Sequence, residues 1–168
     1  MSGSVVLVGF MGAGKTQVGR LVARRLDVPF VDTDKVIVER HGSIAALFAE
    51  RGEQGFREIE RVVVLNELAV AERGARVVAL GGGALTTDDV REALQRLPHV
   101  VWLDAPPHML YARAQSGTRP LARDEALFEA LYARRRPLYD EVSTAVVRTA
   151  GRERLAWVVD KVVAAVAA

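Results

Sequence analysis

G-F-M-G-A-G-K-T, Gly9 to Thr16, follows the apolar run Val5 to Val8 and opens a helical pattern, V-G-R-L-V-A-R-R-L. The stretch matches G-x-x-x-x-G-K-[ST], and its place between a strand and a helix makes the match specific. Glycines at these spacings let the chain turn so that backbone N–H groups and the helix N-terminus converge on phosphate oxygens. Gly12, Ala13, Gly14, Lys15, Thr16 and Gln17 are therefore expected to hold a nucleoside triphosphate. Lys15 would reach the β- and γ-phosphates, and the Thr16 hydroxyl would ligate Mg²⁺. GTPases, motor ATPases and small-molecule kinases share such a loop, so the rest of the chain has to choose among them.

Further strand-type runs lie at Phe30 to Val31, Arg76 to Leu80, Val100 to Leu103 and Ala145 to Val147, with helical patterns between them. In the last helix, Leu155, Val158, Val159, Val162, Val163 and Val166 recur at helical spacing and mark one buried face. This alternation predicts an α/β fold, a parallel sheet covered on both faces with ligands beyond the carboxyl ends of its strands. The 168 residues, 50% of them hydrophobic, suit a single domain over 1–168. No apolar run approaches the ~18 residues of a membrane span, and the N-terminus lacks a secretory leader pattern. Without cysteine there is neither a disulfide framework nor a thiolate site. The expected compartment is the cytoplasm, with no membrane partner. Net charge is +2 with acids and bases interleaved, so nucleic acid is not an expected partner either.

V-A-L-G-G-G, Val78 to Gly83, ends in three glycines where related nucleotide-binding folds commonly place a magnesium-holding acid. Carboxylates stand instead after the second strand, in D-T-D, Asp32 to Asp34. Alternate residues of an extended segment share a side, which suits one acid serving Mg²⁺ through water and the other taking a proton from an attacking hydroxyl. Asp34 reads equally as the cap of a helix starting near Lys35. In G-E-Q-G-F-R-E-I-E, Gly52 to Glu60, Arg57 and Glu60 share a helix face beside Phe56, as a site or as an exposed ion pair. Gly81, Gly82 and Gly83 leave room for a small ligand on the backbone, or form a turn with unusual dihedrals. S-G-T-R-P-L, Ser116 to Leu121, has the composition of a mobile loop from which Arg119 could swing over a transferring phosphoryl group. R-R-P-L-Y, Arg135 to Tyr139, offers a guanidinium for a substrate carboxylate, although both arginines also suit plain surface charge. Together these residues point to a kinase for a small, hydroxylated, anionic acceptor.

In their order and near-family spacing, G-x-x-G-x-G-K-T, D-T-D, G-E-x-x-F-R-x-x-E, L-G-G-G-A, the R-P-L arginine and R-x-P-L-Y resemble the shikimate kinase family, from about Val5 to Val147. The phosphate loop is widely shared, whereas the D-T-D, F-R-x-x-E and G-G-G set is more particular. The resemblance implies ATP- and Mg²⁺-dependent phosphorylation of the 3-hydroxyl of shikimate, on the route to chorismate and the aromatic amino acids. It also implies a three-layer α/β/α P-loop fold like that of nucleoside monophosphate kinases, with a five-stranded parallel sheet of order 2-3-1-4-5, an acceptor-binding helical region at about 34–60, and a mobile lid at about 114–124.

By the same resemblance Asp34 holds the acceptor hydroxyl and takes its proton, while Arg57 and Arg135 pair with the shikimate carboxylate. The backbone of Gly81, Gly82 and Gly83 forms a floor under the ring, and Phe48 and Phe56 line its apolar face. Glu60 orients Arg57 or touches substrate. Asp32 and Thr16 supply the metal environment, Arg119 neutralises charge on the γ-phosphate, Arg113 lies against adenine, and the chain is a monomer. Three departures stand out: Gln17 after Thr16, Ala122 in the lid, and the 16 positions from Arg119 to Arg135, a shorter interval than usual. They bear on nucleotide affinity and lid closure more than on the reaction. A related gluconate or nucleoside monophosphate kinase is the nearest alternative, and a non-catalytic ATP-binding regulator is a further one.

Overall fold

The computed structural model describes residues 3–115 and 124–167. Strand β1 (Val5–Val8) is apolar throughout and fully buried, as the centre of a parallel sheet requires. β3 (Val77–Ala79) and β4 (His99–Asp104) flank it, with β2 (Phe30–Asp32) and β5 (Ala145–Arg148) at the edges. The order is β2-β3-β1-β4-β5 with every pair parallel, the sheet that the resemblance implied. Arg76 and Leu80, expected in β3, lie just beyond it yet stay bonded to β1, with Val5 N donating to Arg76 O and Leu80 N to Leu7 O.

Side chains alternate across each strand, so the sheet feeds two cores. Val5, Leu7, Val77, Val101 and Leu103 pack with α1 (Lys15–Leu26) and α7 (Leu155–Ala167), where Val158, Val159, Val162 and Val166 form the face that their spacing predicts. Leu155, expected on that face, is 40% exposed because it sits in the first helical turn, beyond the sheet's cover. Val6, Val8, Val78, Val100 and Trp102 pack on the other side with α3 (Ile44–Arg73), α4 (Asp88–Gln95), α5 (Pro107–Ala114) and α6 (Glu125–Val142). A small third core of Ile37, Leu47, Phe56 and Val63 joins α2 (Thr33–His41) to α3. Among the described residues no helix is long and apolar enough to cross a membrane.

Two local features aim the site. α3 is two helical pieces meeting at Gly52, whose φ of 68° lies in the left-handed region that favours glycine. The motif G-E-Q-G-F-R-E-I-E thus begins at a break, and the second piece carries Arg57 and Glu60 back toward the sheet. β1 and β3 pair in register, Val5 with Val77 and Leu7 with Ala79, so the phosphate loop and the three glycines leave neighbouring strands side by side.

Candidate active site

A cavity of about 540 Å³ opens over the carboxyl ends of the strands. Gly12 to Val18, Asp32, Asp34, Asp104 and Arg113 are among the residues lining it. The phosphate loop delivers the N-terminus of α1 to its base, the end where exposed N–H groups and the helix dipole favour anions. Lys15 is 8% exposed, and its ammonium donates to Gly9 O at 2.7 Å and Phe10 O at 3.1 Å at the loop's mouth. Gln17 is exposed on the same rim. Arg113 sits in the last turn of α5, beside the segment after β5 in which Glu153 accepts from Ala150 N and Gly151 N. Those N–H groups, Ala150's foremost, hold the Glu153 carboxyl below its ordinary value.

D-T-D divides its work by direction. Asp32 Oδ2 accepts from the Thr16 hydroxyl at 2.6 Å, while Oδ1 accepts from Asp34 N at 3.0 Å and Lys35 N at 3.4 Å. Asp32 is therefore the N-cap of α2, and Asp34 already lies in the helix's first turn. The capping alternative for Asp34 falls, because the helix begins at Thr33 rather than near Lys35. Thr33, 0% exposed, turns the opposite way: its hydroxyl donates to Ala79 O and accepts from Gly81 N, both at 3.3 Å. Together, the Thr16 hydroxyl and Asp32 carboxylate form a hard-oxygen pair beside the phosphate loop. Such a pair suits Mg²⁺ held largely by phosphates and water. Among the described residues no three His, Cys, Asp or Glu side chains gather into an ion cage.

Four charged side chains converge on the end of β3. A methyl group built on Gly81 would lie 2.6 Å from Asp34 Oδ1 and 3.0 Å from Glu60 Oε2, and one on Gly83 would collide with the Arg57 guanidinium. None of the three glycines has a positive φ, so unusual dihedrals do not explain them. Gly81 and Gly83 are small because the site's own side chains close over the strand, while Gly82 lies against the phosphate loop. Glu60 is 2% exposed and accepts from Arg57 Nη1 at 2.6 Å, with Glu53 of the same helix 3.8 Å from Nη2. Burial raises the Glu60 carboxyl above its ordinary value, opposed by Arg57 and assisted by Asp34. The Arg57 guanidinium lies over the rings of Phe56 and Phe48, at 5.2 and 5.9 Å. Of the run Arg134-Arg135-Arg136, only Arg135 points inward, 5% exposed and 5.6 Å above the Phe10 ring of the phosphate loop. Burial lowers its pKa, and the Nε groups of both Arg57 and Arg135 are buried without a hydrogen-bond partner. Two desolvated guanidiniums with donors to spare are what a substrate carboxylate would satisfy.

The sequence profile of shikimate kinase matches residues 11–167. The shikimate kinase of Symbiobacterium thermophilum is 45% identical over 151 residues, 83% of each chain, and that of Ralstonia nicotianae is 44% identical over 164 residues, 95% of this chain and 84% of the other. The chain belongs to the shikimate kinase family. It is thus a P-loop kinase, a phosphotransferase that moves phosphate from ATP to an alcohol group. Among solved structures, shikimate kinase from Acinetobacter baumannii in complex with shikimate overlays with a TM-score of 0.89 at 36% identity, over 96% of this chain and 90% of that one. Deoxyadenosine kinase from M. mycoides with bound dATP overlays with a TM-score of 0.69 at 12% identity, over 98% of this chain and all of the other, a likeness of fold alone.

Among the residues expected of a shikimate kinase, Lys15, Thr16, Asp32, Asp34, Arg57, Glu60, Gly81, Gly82, Gly83 and Arg135 meet around one strand end and its neighbouring loop. Arg57 with Glu60 is a part-buried pair, not the exposed one weighed as an alternative. Arg119 and Ala122, expected in a lid, lie outside the described residues. Phe48 and Phe56 contact each other, with centroids 4.6 Å apart, and form the wall beneath Arg57. Three supporting residues escaped assignment from sequence: Thr33 under Gly81, Tyr139 on Gly82, and Tyr132. The hydroxyl of Tyr132 donates to Asp104 Oδ1 at 2.8 Å, and burial and this bond push that phenol up to about 12. All three sit inside or beside quoted motifs, but their partners lie 28 to 57 residues away along the chain.

Proposed function

We propose that the chain transfers the γ-phosphoryl group of ATP to the 3-hydroxyl of shikimate, giving shikimate 3-phosphate. The carrying observation is the convergence of Asp34, Arg57, Glu60 and the glycines beside the phosphate loop, with Arg135 over Phe10. On this reading Asp34 holds the acceptor hydroxyl and takes its proton as the oxygen attacks phosphorus. The unused Nε–H groups of Arg57 and Arg135 mark the side of the cleft where a carboxylate would be paired, with Glu60 fixing the Arg57 fork. Lys15 exchanges the Gly9 and Phe10 carbonyls for phosphate oxygens, the loop N–H groups cradle the chain of phosphates, and Arg119 neutralises developing charge. Thr16 and Asp32 would hold Mg²⁺, which would supply charge neutralisation at the phosphates. Arg113, at the far rim of the cavity, lies against the nucleotide base.

The same reading treats 1–168 as one kinase unit with an acceptor region at about 34–60 and a lid at about 114–124, acting as a cytoplasmic monomer. Its test is ATP turnover with magnesium, with and without shikimate, with gluconate and AMP as controls. Shikimate-dependent ADP release with a phosphorylated product supports it. ADP release with gluconate or AMP and none with shikimate would overturn the acceptor assignment of Asp34, Arg57 and Arg135.

A further inference from the structure

α6 reaches the acceptor site at two points. Arg135 and Tyr139 stand four residues apart, on one face of the helix. Between them Pro137 has no N–H to give to the carbonyl of Ala133, so the helical ladder misses a bond at the turn carrying Arg135. Tyr139 is 1% exposed, and its ring stacks on Trp102 of β4 with centroids 5.7 Å apart. Its hydroxyl donates to Gly82 O at 2.7 Å.

The choice of carbonyl is informative. Gly81 O accepts from Ala84 N and Gly83 O from Thr86, both within the turn that follows β3. Gly82 O is different: its donor is a side chain 57 residues away. On its other side Gly82 abuts the phosphate loop, since a methyl group there would lie 3.5 Å from Met11 N and 3.8 Å from Gly9 O. The middle glycine is therefore held between α6 and the phosphate loop. Phenylalanine would fill the space beside Trp102 equally well, and a buried hydroxyl without a partner is unfavourable, so the bond to Gly82 is what gives the phenol its purpose. Burial also raises the phenol above its ordinary value, which keeps it a donor at any pH where a kinase works.

We propose that Tyr139 is a positioning residue for the acceptor: its hydroxyl fixes the spacing between the Arg135 guanidinium and the glycine floor. This rests on the reading of Arg135 and Gly81, Gly82 and Gly83 as acceptor-binding groups. Its effect falls on the acceptor more than on the nucleotide, because the phosphate loop has its own anchor in α1.

Tyr139→Phe removes the hydroxyl and keeps the ring. In the full chain the expected result is a KM for shikimate raised about 3- to 10-fold, the usual worth of one buried hydrogen bond. The KM for ATP stays close to wild type, while the unfolding midpoint falls modestly because Gly82 O loses its donor. Trp102→Phe loosens the packing of the ring without touching the hydroxyl, and is expected to lower the midpoint while leaving the ratio of the two KM values unchanged. Should a variant be too unstable for kinetics, ligand-induced shifts of the midpoint give the same comparison, with the shikimate shift reduced and the ATP shift kept in Tyr139→Phe. The proposal is overturned by an unchanged KM for shikimate, by an equal change in both KM values, or by the same selective rise in Trp102→Phe. Arg57→Ala, assayed alongside, separates the two levels. A rise there with none in Tyr139→Phe removes the positioning role alone, whereas no rise in either removes the acceptor reading and this inference with it.

Discussion

The nucleotide end of the cleft is built mainly from backbone, and the acceptor end mainly from side chains. At the first, on the proposed reading, N–H groups of consecutive residues and one helix terminus would do the binding, with Lys15 and Thr16 as additions from the same stretch. At the second, Asp34, Arg57, Glu60 and Arg135 arrive from three different helices and meet over glycines from a strand end. A backbone site asks mostly for a shape, and the shape is reused for many nucleotide-dependent reactions. A side-chain site asks for particular groups, and each is exposed to loss by a single substitution. On the proposed reading specificity therefore belongs to the acceptor end, and substitutions there are expected to separate turnover and acceptor affinity from nucleotide affinity.

The largest separation is expected from Asp34→Asn. Loss of a general base lowers turnover by ~10²–10⁴-fold, while ATP binding stays within about twofold of wild type. Near-normal turnover would reduce Asp34 to a group that only orients the hydroxyl. Arg57→Ala is next: losing a charged hydrogen bond of ~1.5–3 kcal/mol should raise the KM for shikimate roughly 10- to 150-fold with ATP again spared. A KM that stays put would break the division between the two ends. Asp32→Ala tests the border, because its carboxylate touches Thr16 on one side and caps α2 on the other. Half-maximal magnesium should rise by ~10–100-fold, with a loss of stability of about 1 kcal/mol from the missing cap. An unaltered magnesium titration would leave Asp32 as a cap alone.

The smallest effect concerns Glu60. Its pKa is raised in the folded chain, so the folded state holds the proton to higher pH than the unfolded state. The resulting stability is fully present below the unfolded value and is lost as pH rises through the folded one. Unfolding free energy should thus fall with pH more steeply in wild type than in Glu60→Gln, in the window just above the ordinary carboxylate range. Equal slopes would mean that Arg57 balances burial, and a reversed difference that it outweighs it.

The contrast between the two ends also governs what could be read from the sequence. Gly9 to Thr16 was legible because its function is local: eight adjacent residues, a strand before them and a helix after. The valines of α7 were legible for the same reason, through their period. The residues proposed for the acceptor were visible as types and order, but not their arrangement. Nothing near Gly83 in sequence says that Arg57 lies against it, so Gly81 and Gly83 read as space for a ligand when they are first of all space for Arg57, Glu60 and Asp34. Whether Asp32 or Asp34 caps α2 turned on a shift of two residues in the helix start, finer than composition resolves. Thr33 and Tyr139 stood inside quoted motifs, yet their partners Gly81 and Gly82 lie 48 and 57 residues away, brought near only by the sheet and by α6.

β1 and β3 are nearest neighbours, and one carries the phosphate loop while the other carries the glycine floor. Paired strands stand ~4.8 Å apart, a spacing set by their hydrogen-bond ladder and hardly adjustable by side-chain changes. On the proposed reading the sheet serves as a gauge block for the reaction, separating donor from acceptor by a distance that the strand ladder sets. Anyone re-engineering the acceptor preference would leave these two strands untouched and rebuild 33–60 instead. The small core of Ile37, Leu47, Phe56 and Val63 beneath that region is distinct from the two larger ones and offers a place to change the tool without moving the gauge.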